Sequence, residues 1–418
     1  MRQTVLTFVA KVNRNQISDL RTLLQTMADD VERNALIPFP KLKLLHFASL
    51  VLNDEPGYDA YLVFENNFDG ELEPYLETLY AEAAVGLHSI YSCCLDYPAA
   101  SPVNKSQLLA YLRARVLRPN AYLIGNVGRS VERTHRENTL RDRLEDFLDE
   151  LVRQGNAGGP GAIRQKVQGF VRSHSLAWAA NVQPRQTPME HLLPRLKLVI
   201  VALIVLLLFP IVLPLLILFA IKLRWTETHE APPADLDVKD KVGELVGRED
   251  RTHIVQNHLC HISVVKPGAF RRATLRGVLW LTNLVARIQD KGKLIGIPSI
   301  HFAHWSIIDN GRRLLFLSNF DGSWENYLDD FIDKVSFGLT AVWTNTVDFP
   351  KTSFLFFEGS RDGSRFKTYT RDKQTYTNVW YSAYKQSTVE TIDNNSSIRE
   401  DLFTSLDDAA TRDWLRRF

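Results

Sequence analysis

Apolar residues recur along this chain at spacings that predict alternating strands and helices. Near the start, the runs TVLTFVAKV, LKLLHFASLVL and YDAYLVFE are typical of strands, whereas residues 17–36 have the spacing of a helix. A second helix is predicted around Tyr75, and the run GLHSIYSCCLDYP that ends this stretch is predicted to be a further strand. This order of elements, βαββαβ, is that of a ferredoxin-like unit.

The same order of elements returns near the end of the chain, and particular residues return with it. Asn-Phe-Asp-Gly occupies residues 67–70 and again residues 319–322, and Tyr-Leu follows each time. His-Phe-Ala begins at His46 and again at His301, and Asn310-Gly311 between two apolar runs is a hairpin signal. We therefore predict an α+β chain of two internally duplicated ferredoxin-like units, which form an intramolecular α+β barrel by covering each other's sheets.

The repeats divide the chain into three regions. We predict a first ferredoxin-like unit in residues 1–150, a linker region in residues 151–250 and a second ferredoxin-like unit in residues 251–418. Within the linker region, the run IRQKVQGFVRSHSLAWAA predicts an amphipathic helix that either lies at a membrane interface or packs into a core.

Residues 198–221 are the strongest membrane signal in the sequence. They contain no charged residue, and about 18 such residues suffice to suggest a membrane helix. Pro210 and Pro214 near the middle favour a kink. Because the two units must lie on one side of the bilayer to cover each other, we favour a re-entrant hairpin over a full span. We expect both units on the cytoplasmic side of the membrane.

Charge and cysteine content narrow the classes of function. A net charge of +2 with no basic stripe argues against nucleic acid as a partner. The three cysteines have neither a disulfide framework nor metal-ligand spacing, so we predict no metal site. The first residues lack the apolar core of a signal peptide, which favours a reducing, cytoplasmic setting.

Differences between the two repeats indicate candidate site residues. His301 matches His46, whereas His304 matches Ser49, so His304 is the more informative histidine. Because strand side chains alternate, His304 is expected to point away from His301 and Trp305. We select His301, His304 and Trp305 as candidate cofactor-binding residues. Replacing His304 by Ser, the residue of the other repeat, is expected to leave folding nearly intact.

The candidate catalytic residues are His304, Asp321 and Arg361. Histidine is the commonest acid-base group at neutral pH. Arg361 lies in a glycine-rich loop, FEGSRDGSRF, where it is free to bind an anion. Asp69 and Asp321 each precede a predicted helix, so the simpler role of these carboxylates is to cap that helix.

The run SNFDG at residues 318–322 resembles the Gly-x-x-Asp-Gly motif of dye-decolourising peroxidases, which belong to the dimeric α+β barrel superfamily. This resemblance implies a haem cofactor, peroxidase-like oxidoreductase activity and a role for Asp321 in peroxide cleavage. Ser318 stands where the motif has its first glycine. The proximal haem histidine of that family follows the motif, whereas no histidine follows His304 in this chain.

Three functions are consistent with these residues. The first is a membrane-anchored α+β barrel that binds or transforms a lipophilic small molecule at the membrane surface. The second is a haem-dependent oxidoreductase that resembles dye-decolourising peroxidases. The third is a non-catalytic, membrane-associated scaffold. The residues alone name neither a substrate nor a cofactor, and they leave open whether the protein is an enzyme.

Overall fold

The computed structural model describes residues 2–98, 104–155, 158–181, 188–249, 255–288 and 297–418. The first half of the chain contains β1 (Gln3–Lys11), α1 (Ile17–Asp29), β2 (Leu45–Asn53), β3 (Tyr61–Asp69), α2 (Leu72–Tyr91), α3 (Lys105–Arg115), β4 (Val116–Leu117), β5 (Ala121–Ile124) and α4 (Val131–Arg153). The middle contains α5 (Pro160–Ser173), α6 (Pro188–Leu207), α7 (Phe209–His229) and α8 (Lys239–Glu249).

The second half begins with β6, and its elements follow in a similar order. They are β6 (Gln256–Val264), α9 (Ala269–Ile288), β7 (Ile300–Ile308), β8 (Arg313–Asp321), α10 (Trp324–Trp343), β9 (Thr352–Ser353), β10 (Phe357–Glu358), α11 (Gly363–Lys373), β11 (Gln374–Thr375), β12 (Val379–Ser382), α12 (Val389–Asp401) and α13 (Asp408–Leu415). The chain is therefore an α+β protein.

Two five-stranded antiparallel sheets organise these elements. One sheet has the strand order β12-β2-β3-β1-β4 and the other has the order β11-β6-β8-β7-β5. Each half thus lends one strand to the sheet of the other: β5 pairs with β7, and β12 pairs with β2. Neither half completes its own five-stranded sheet, so the two halves form one connected body.

The two sheets pack face to face, and helices cover their outer sides. Between the sheets, Val51 and Val63 of the first contact Cys260 and Leu315 of the second. On the outer side of the first sheet, α1 and α2 bury a core that includes Leu24. The outer side of the second sheet carries a similar core under α9 and α10. We call the side of each sheet that faces the other sheet its inner face.

Most of the predicted elements are confirmed, and one is wrong. Asn310 and Gly311 have φ of 53° and 86° and join β7 to β8, as the hairpin signal predicts. The run GLHSIYSCCLDYP, however, is not a strand, because α2 continues to Tyr91 and Cys94 forms only an isolated bridge with Val12. The small edge strand of this sheet is β4.

A third core joins the two halves through their later helices. In it, α4 and α5 pack against α12 and α13 around Leu144, Val167 and Trp414. Arg164 of α5 donates hydrogen bonds to the carbonyl oxygens of Asp401 and Thr404. The apolar face of the amphipathic helix α5 is therefore buried against protein.

Helical hydrogen bonds continue across the junction of α6 and α7. The Leu208 amide donates to the Ile204 carbonyl at 2.9 Å, and the Val212 amide donates to the Leu208 carbonyl at 2.8 Å. These are helical hydrogen bonds on both sides of Pro210, so the prolines do not turn the chain back on itself in this part of the structure. Among the described residues, α7 is the helix that is long and apolar enough to cross a membrane.

Candidate functional site

A cluster of polar side chains fills the middle of the space between the two sheets. Glu65 of β3 is fully buried there and accepts hydrogen bonds from both halves of the chain. We call the following set the Glu65 cluster: Thr7, Ser49, Glu65, Asn67, His258, His304 and Asn319. Since a buried carboxylate needs charge-assisted partners, this cluster is the most specific polar arrangement on the inner faces.

The Glu65 carboxylate is saturated with partners. His258 Nε2 lies 3.0 Å from its Oε2, and Ser49 Oγ donates to the same oxygen at 3.1 Å. Its Oε1 accepts from Asn67 Nδ2 at 2.9 Å and from Asn319 Nδ2 at 3.2 Å. The cluster therefore holds one negative charge among side chains from three strands of each sheet.

His304 lies beside this carboxylate in a closed environment. Its Nε2 is 2.9 Å from Thr7 Oγ1, and its Nδ1 is 3.6 Å from Glu65 Oε1. The side chain has no exposed surface, so replacing it by Ser creates a cavity rather than a surface change. The expectation that His304→Ser leaves folding nearly intact is therefore wrong for this position.

The pKa values of Glu65 and His304 are both lowered, but for different reasons. Burial acts to raise the pKa of the Glu65 carboxyl, but the hydrogen bond and charge of His258, with His304 and Asn67, outweigh it and lower that pKa to about 2. Burial lowers the pKa of His304 to about 4, against the opposing attraction of Glu65. At neutral pH, Glu65 is ionised and His304 is neutral.

Two Asp–His pairs lie at the ends of the central strands, beyond the Glu65 cluster. Asp69 Oδ1 is 3.1 Å from His46 Nε2, and Asp321 Oδ1 is 2.7 Å from His301 Nε2. Tyr384 Oη is 2.8 Å from His46 Nδ1. The Asp-Gly step of both Asn-Phe-Asp-Gly runs thus ends a strand in the same local arrangement.

Both aspartates cap helices, but not the helices that directly follow them. The other oxygen of Asp69 accepts from the amide of Val131, the first residue of α4, at 2.8 Å. Asp321 accepts from the amide of Val389, the first residue of α12, also at 2.8 Å. The prediction that each aspartate caps the next helix is wrong, because the carboxylates reach across to α4 and α12. A carboxylate at a helix N-terminus is stabilising.

The rest of the repeated motif has a packing role in both halves. The Phe68 ring stacks on Tyr75 with centroids 3.8 Å apart, and Phe320 stacks on Tyr327 at 3.9 Å. This accounts for the Tyr-Leu that follows each Asn-Phe-Asp-Gly, since that tyrosine anchors the next helix on the strand end. The motif can be explained by packing and capping alone.

His301 and His304 of β7 point to the same face of the sheet, although strict alternation predicts opposite faces. The register of β7 on β8 shifts between Ile300 and Phe302, so His301 is the extra residue of a β-bulge. Its ring contacts Phe47 of the first half, as His304 contacts Thr7. The bulge therefore directs His301 to the inner face, where strict alternation would have turned it outward.

The predicted site residues do not form one site. Trp305 lies on the outer side of β7 and stacks on Phe316, within the core under the helices. Arg361 is exposed, and its guanidinium lies 4.7 Å from the Phe337 ring centre. Only His301 and Asp321 make direct contact with each other.

A small cavity lies on the outer side of the second sheet. The cavity on the outer side of the second sheet has a volume of about 20 Å³ and is lined by His261, Phe316, Phe331 and Trp343. Burial lowers the pKa of His261 to about 3, and its ring nitrogens have no hydrogen-bond partner among the described residues. Ligand pockets usually measure roughly 300–1,000 Å³, so this cavity is too small for a haem. The candidate cofactor-binding residues His301, His304 and Trp305 do not line it.

A larger groove lies at the seam between the two halves. It has a volume of about 610 Å³, and we call it the seam groove. The residues that define it are Arg21, Gln25, Asn53, Lys241, Lys373, Thr375 and Asn378. Because both halves and α8 contribute to this lining, the groove exists only in the assembled body.

Charged side chains of both signs surround the seam groove. Lys373 Nζ lies 3.0 Å from Asp348 Oδ2, and Lys241 donates to the Asp372 carbonyl. Burial lowers the pKa of the Lys241 amine. Burial acts in the same direction on Lys373, but its hydrogen bonds to Asp372 and Asp348 raise that pKa overall. The groove therefore suits a ligand with a polar or charged group.

Sequence reasoning missed Glu65 and His258, the two residues that define the Glu65 cluster. A comparison of the strand registers in the two sheets contains the signal. Glu65 pairs with Thr7 as Leu317 pairs with Cys260, and Val5 pairs with Asn67 as His258 pairs with Asn319. Each sheet thus has an ionisable residue, Glu65 or His258, in the middle of a buried strand where the equivalent position of the other sheet is apolar. This difference indicates that the two inner faces are not alike.

No group of three or more His, Cys, Asp or Glu side chains is arranged to hold a metal ion in the part of the chain that the structure describes. Comparisons with known proteins gave no further guidance. Neither the protein-family models nor the curated proteins nor the solved structures contain a match to this chain.

Proposed function

We propose that the chain is a membrane-anchored α+β protein that holds a small amphiphilic molecule in the seam groove, next to the bilayer. The anchor is the apolar segment of α6 and α7. The body consists of two ferredoxin-like copies that form an intramolecular barrel. The observation that carries the proposal is that the linker after the exposed apolar helix α7 leads into α8, which lines a groove that both halves build.

The internal duplication is supported by matching strand registers. Gln3 pairs with Asp69 at one end of the first sheet, and Gln256 pairs with Asp321 at the same place in the second. Strand order, the position of the bulge and the two Asp–His pairs repeat as well. Independent origins for so many matching positions are a poor explanation.

Membrane attachment is supported by the exposure of the apolar segment. Leu213, Leu216, Ile217 and Leu218 of α7 are all exposed in the isolated chain. Several large apolar side chains exposed together indicate a contact with a membrane or with another protein. Its uncharged composition over residues 198–221 favours lipid. Because the two halves share strands, both must lie on one side of the bilayer, which we propose is the cytoplasmic side.

Binding of an amphiphile is supported by the position of the seam groove. The linker that leaves α7 reaches Asp348, whose Oδ1 accepts from the Ala234 amide at 3.4 Å. The other oxygen of Asp348 contacts Lys373 in the groove wall. A lipophilic ligand, as expected from the sequence, would then place its polar group in the groove and keep its apolar part toward the membrane.

A second candidate function is that of a non-catalytic scaffold. It is favoured by one observation, namely that side chains fill the space between the sheets around the Glu65 cluster. In this case the seam groove would be a simple gap at the junction of the halves. Both candidates share the anchor and differ in whether the groove is occupied.

The experiment that separates them is native mass spectrometry of the full chain released from detergent micelles. Gln25 is exposed on α1 and lines the groove, so Gln25→Trp should block it without disturbing the core. We expect the wild-type protein to carry a small molecule that Gln25→Trp lacks.

Thr22→Trp is the matched control, because Thr22 is exposed on the same helix but does not line the groove. It should carry the molecule as the wild type does. Wild-type protein without any bound molecule would favour the scaffold. An extraction of membranes at alkaline pH tests the anchor separately, since an inserted chain stays in the pellet.

A further inference from the structure

Residues on both sides of the α6–α7 segment, Asn181 and Glu230, contact the same body. Before α6, the carbonyl of Asn181 accepts a hydrogen bond from Arg399 of α12 at 2.7 Å. At the end of α7, Glu230 contacts Arg271 at 2.6 Å and Lys266 at 2.8 Å. A membrane helix that crosses once would place its two ends on opposite sides of the bilayer.

The segment also packs along the body instead of projecting from it. Phe219 of α7 contacts Phe270 of α9, with ring centroids 5.5 Å apart. Leu223 is buried against Ala341 and Leu355. Together α6 and α7 extend over roughly 60 Å at 1.5 Å per residue, with contacts to α9 along the way. The helix therefore lies along one side of the second half.

Other apolar side chains are exposed on this same side. The turn between β9 and β10 presents Phe354, Phe356 and Phe357 with exposed fractions of 46%, 43% and 49%. We call residues 352–358 the aromatic hairpin. Trp280 of α9 is 56% exposed as well. Phe357 contacts Phe337 of α10, so the hairpin continues the apolar surface across the second half.

A buried carboxylate near the end of α7 binds the backbone of the aromatic hairpin. Glu227 accepts from the backbone amides of Phe354 and Leu355, each at 2.9 Å, and its side chain is only 2% exposed. Phe354 and Leu355 have φ of 48° and 71°, a left-handed conformation that is unfavourable for both residue types. Backbone strain at these two residues thus occurs where aromatic rings are exposed beside the apolar helix.

Basic side chains lie over the rings of this surface. Lys222 Nζ is 4.2 Å from the Trp225 ring centre, and the Arg224 guanidinium is 5.6 Å from that of Phe354. Arg361 lies over Phe337 in the same way. Aromatic rings next to basic residues are typical of the level of the lipid head groups, where rings enter the interface and cations meet anionic lipid.

We infer that the protein is monotopic: α6 and α7 lie in the plane of one leaflet, and the aromatic hairpin enters the same leaflet beside them. The occupant of this surface is an anionic lipid leaflet. This inference rests on the membrane attachment proposed above and adds the orientation of the helix and a second lipid contact. Arg361, selected from the sequence as an anion-binding residue, would meet lipid phosphate here.

Depth measurements on the full chain in vesicles of phosphatidylcholine and phosphatidylglycerol test the inference. A fluorescent NBD label is placed on Leu216→Cys in α7, on Phe356→Cys in the hairpin or on Val85→Cys in α2. The native cysteines are buried and should not be labelled. Lipids with a nitroxide at a shallow or a deep position of the acyl chain then quench labels at matching depth.

We expect the labels at Leu216 and Phe356 to be quenched most by the shallow nitroxide, and the label at Val85, on the opposite side of the body, to remain unquenched. Strongest quenching at Leu216 by the deep nitroxide with none at Phe356 would overturn the inference but keep the anchor. If the chain fails to float with vesicles and no label is quenched, the proposed anchor itself is wrong.

A second set of variants tests the hairpin without labels. Replacing Phe354, Phe356 and Phe357 by Ser should accelerate dissociation from vesicles by about tenfold or more, because each ring loses its place in the interface. The matched control replaces Val85, Leu95 and Val152 by Ser, three exposed apolar residues on other elements. An equal effect of both sets would contradict a specific role for the hairpin.

Discussion

The ends of β3 and β8 carry the same arrangement, whereas the middles of their inner faces differ. At both ends, an aspartate contacts a histidine of the neighbouring strand and caps a distant helix. In the middle, Glu65 of the first half stands where the second half has Leu317. The positions that agree stabilise each half, whereas the positions that differ form the contact between the two halves.

The differing positions complement one another across the sheets. Glu65 belongs to the first half, and its two imidazole neighbours, His258 and His304, belong to the second. If two first halves packed together, the same places would hold Val5 and Ser49, and the carboxylate would lack an imidazole partner. The Glu65 cluster therefore favours pairing of unlike halves, a use of buried polar groups for specificity.

The largest effect is expected when this complementarity is broken on one side only. Glu65→Leu places the second half's residue in the first and leaves His258 and Asn319 without their acceptor. We expect a loss of about 3–5 kcal/mol in the free energy of unfolding, the range for removing one partner of a buried pair. Urea unfolding in micelles, followed by tryptophan fluorescence, measures it.

A triple variant sharpens this result. Glu65→Leu combined with His258→Val and His304→Ser replaces every ionisable residue of the cluster by its counterpart from the other half. Because no uncompensated charge remains, part of the lost stability should return. A triple variant less stable than Glu65→Leu alone would indicate that packing, and not charge pairing, governs this interior.

A smaller effect is expected for His304→Ser alone. The change removes a buried ring and its contact with Thr7 while Glu65 keeps its other partners, so we expect a loss of about 2–3 kcal/mol. The converse change, Ser49→His, would crowd a fully buried position and should cost about 1–3 kcal/mol. Differential scanning calorimetry of both variants makes the comparison, and no change in either would contradict the closed packing.

The shared positions predict equal effects in the two halves. Asp69→Asn and Asp321→Asn each weaken an Asp–His pair and a capped helix, with an expected loss of about 1–2 kcal/mol apiece. The two losses should be similar because the two carboxylates have matching partners, and in the double variant they should add within about 0.5 kcal/mol, as for independent sites. If Asp321→Asn removed a bound molecule from the protein without lowering its stability, Asp321 would have a chemical role that Asp69 lacks.

The smallest effect is a pH dependence of stability to which His304 of the second half contributes. His304 has a pKa of about 4 when folded, against an ordinary value of 6.5, so its contribution is complete above pH 6.5 and is lost as the pH falls through 4. Between pH 6.5 and 5.5 this should lower the free energy of unfolding by about 1 kcal/mol. His304→Gln should lose that part of the slope.

His261 adds a separate part of the slope in the same pH range, because burial lowers its pKa to about 3. The slope of His304→Gln should therefore be reduced and not abolished. Glu65 contributes only in stronger acid: its lowered pKa gives stability above pH 4.5 that is lost as the pH falls through about 2. A wild-type protein with no slope between pH 6.5 and 5.5 would contradict neutral, buried histidines.

The sequence predicts local structure well in this chain, because local structure depends on neighbouring residues. Strands, the hairpin at Asn310 and the apolar segment all follow from spacing within short windows. The direction of His301 could not be predicted, since a bulge depends on register against another strand. The partnership of Glu65 with His258 also depends on two sheets meeting, which periodicity does not encode.

The interpretation of the repeated motif shows the same limit. Placing Asp69 before a helix made capping the expected role, and the capping itself is present. Which helix is capped depends on β5 crossing to the other sheet before α4 begins, and no local pattern indicates this crossing. The exposed aromatic hairpin was missed because FLFFE has the composition of a buried strand.

The exchange of β5 and β12 has a consequence for synthesis on the ribosome. The edge of β2 stays unpaired until β12 has been synthesised, because Val379 of β12 pairs with Leu50 of β2, which lies far earlier in the chain. At typical elongation rates of about 5–20 residues per second, that edge stays unpaired for tens of seconds. An exposed strand edge of this kind can recruit another nascent chain.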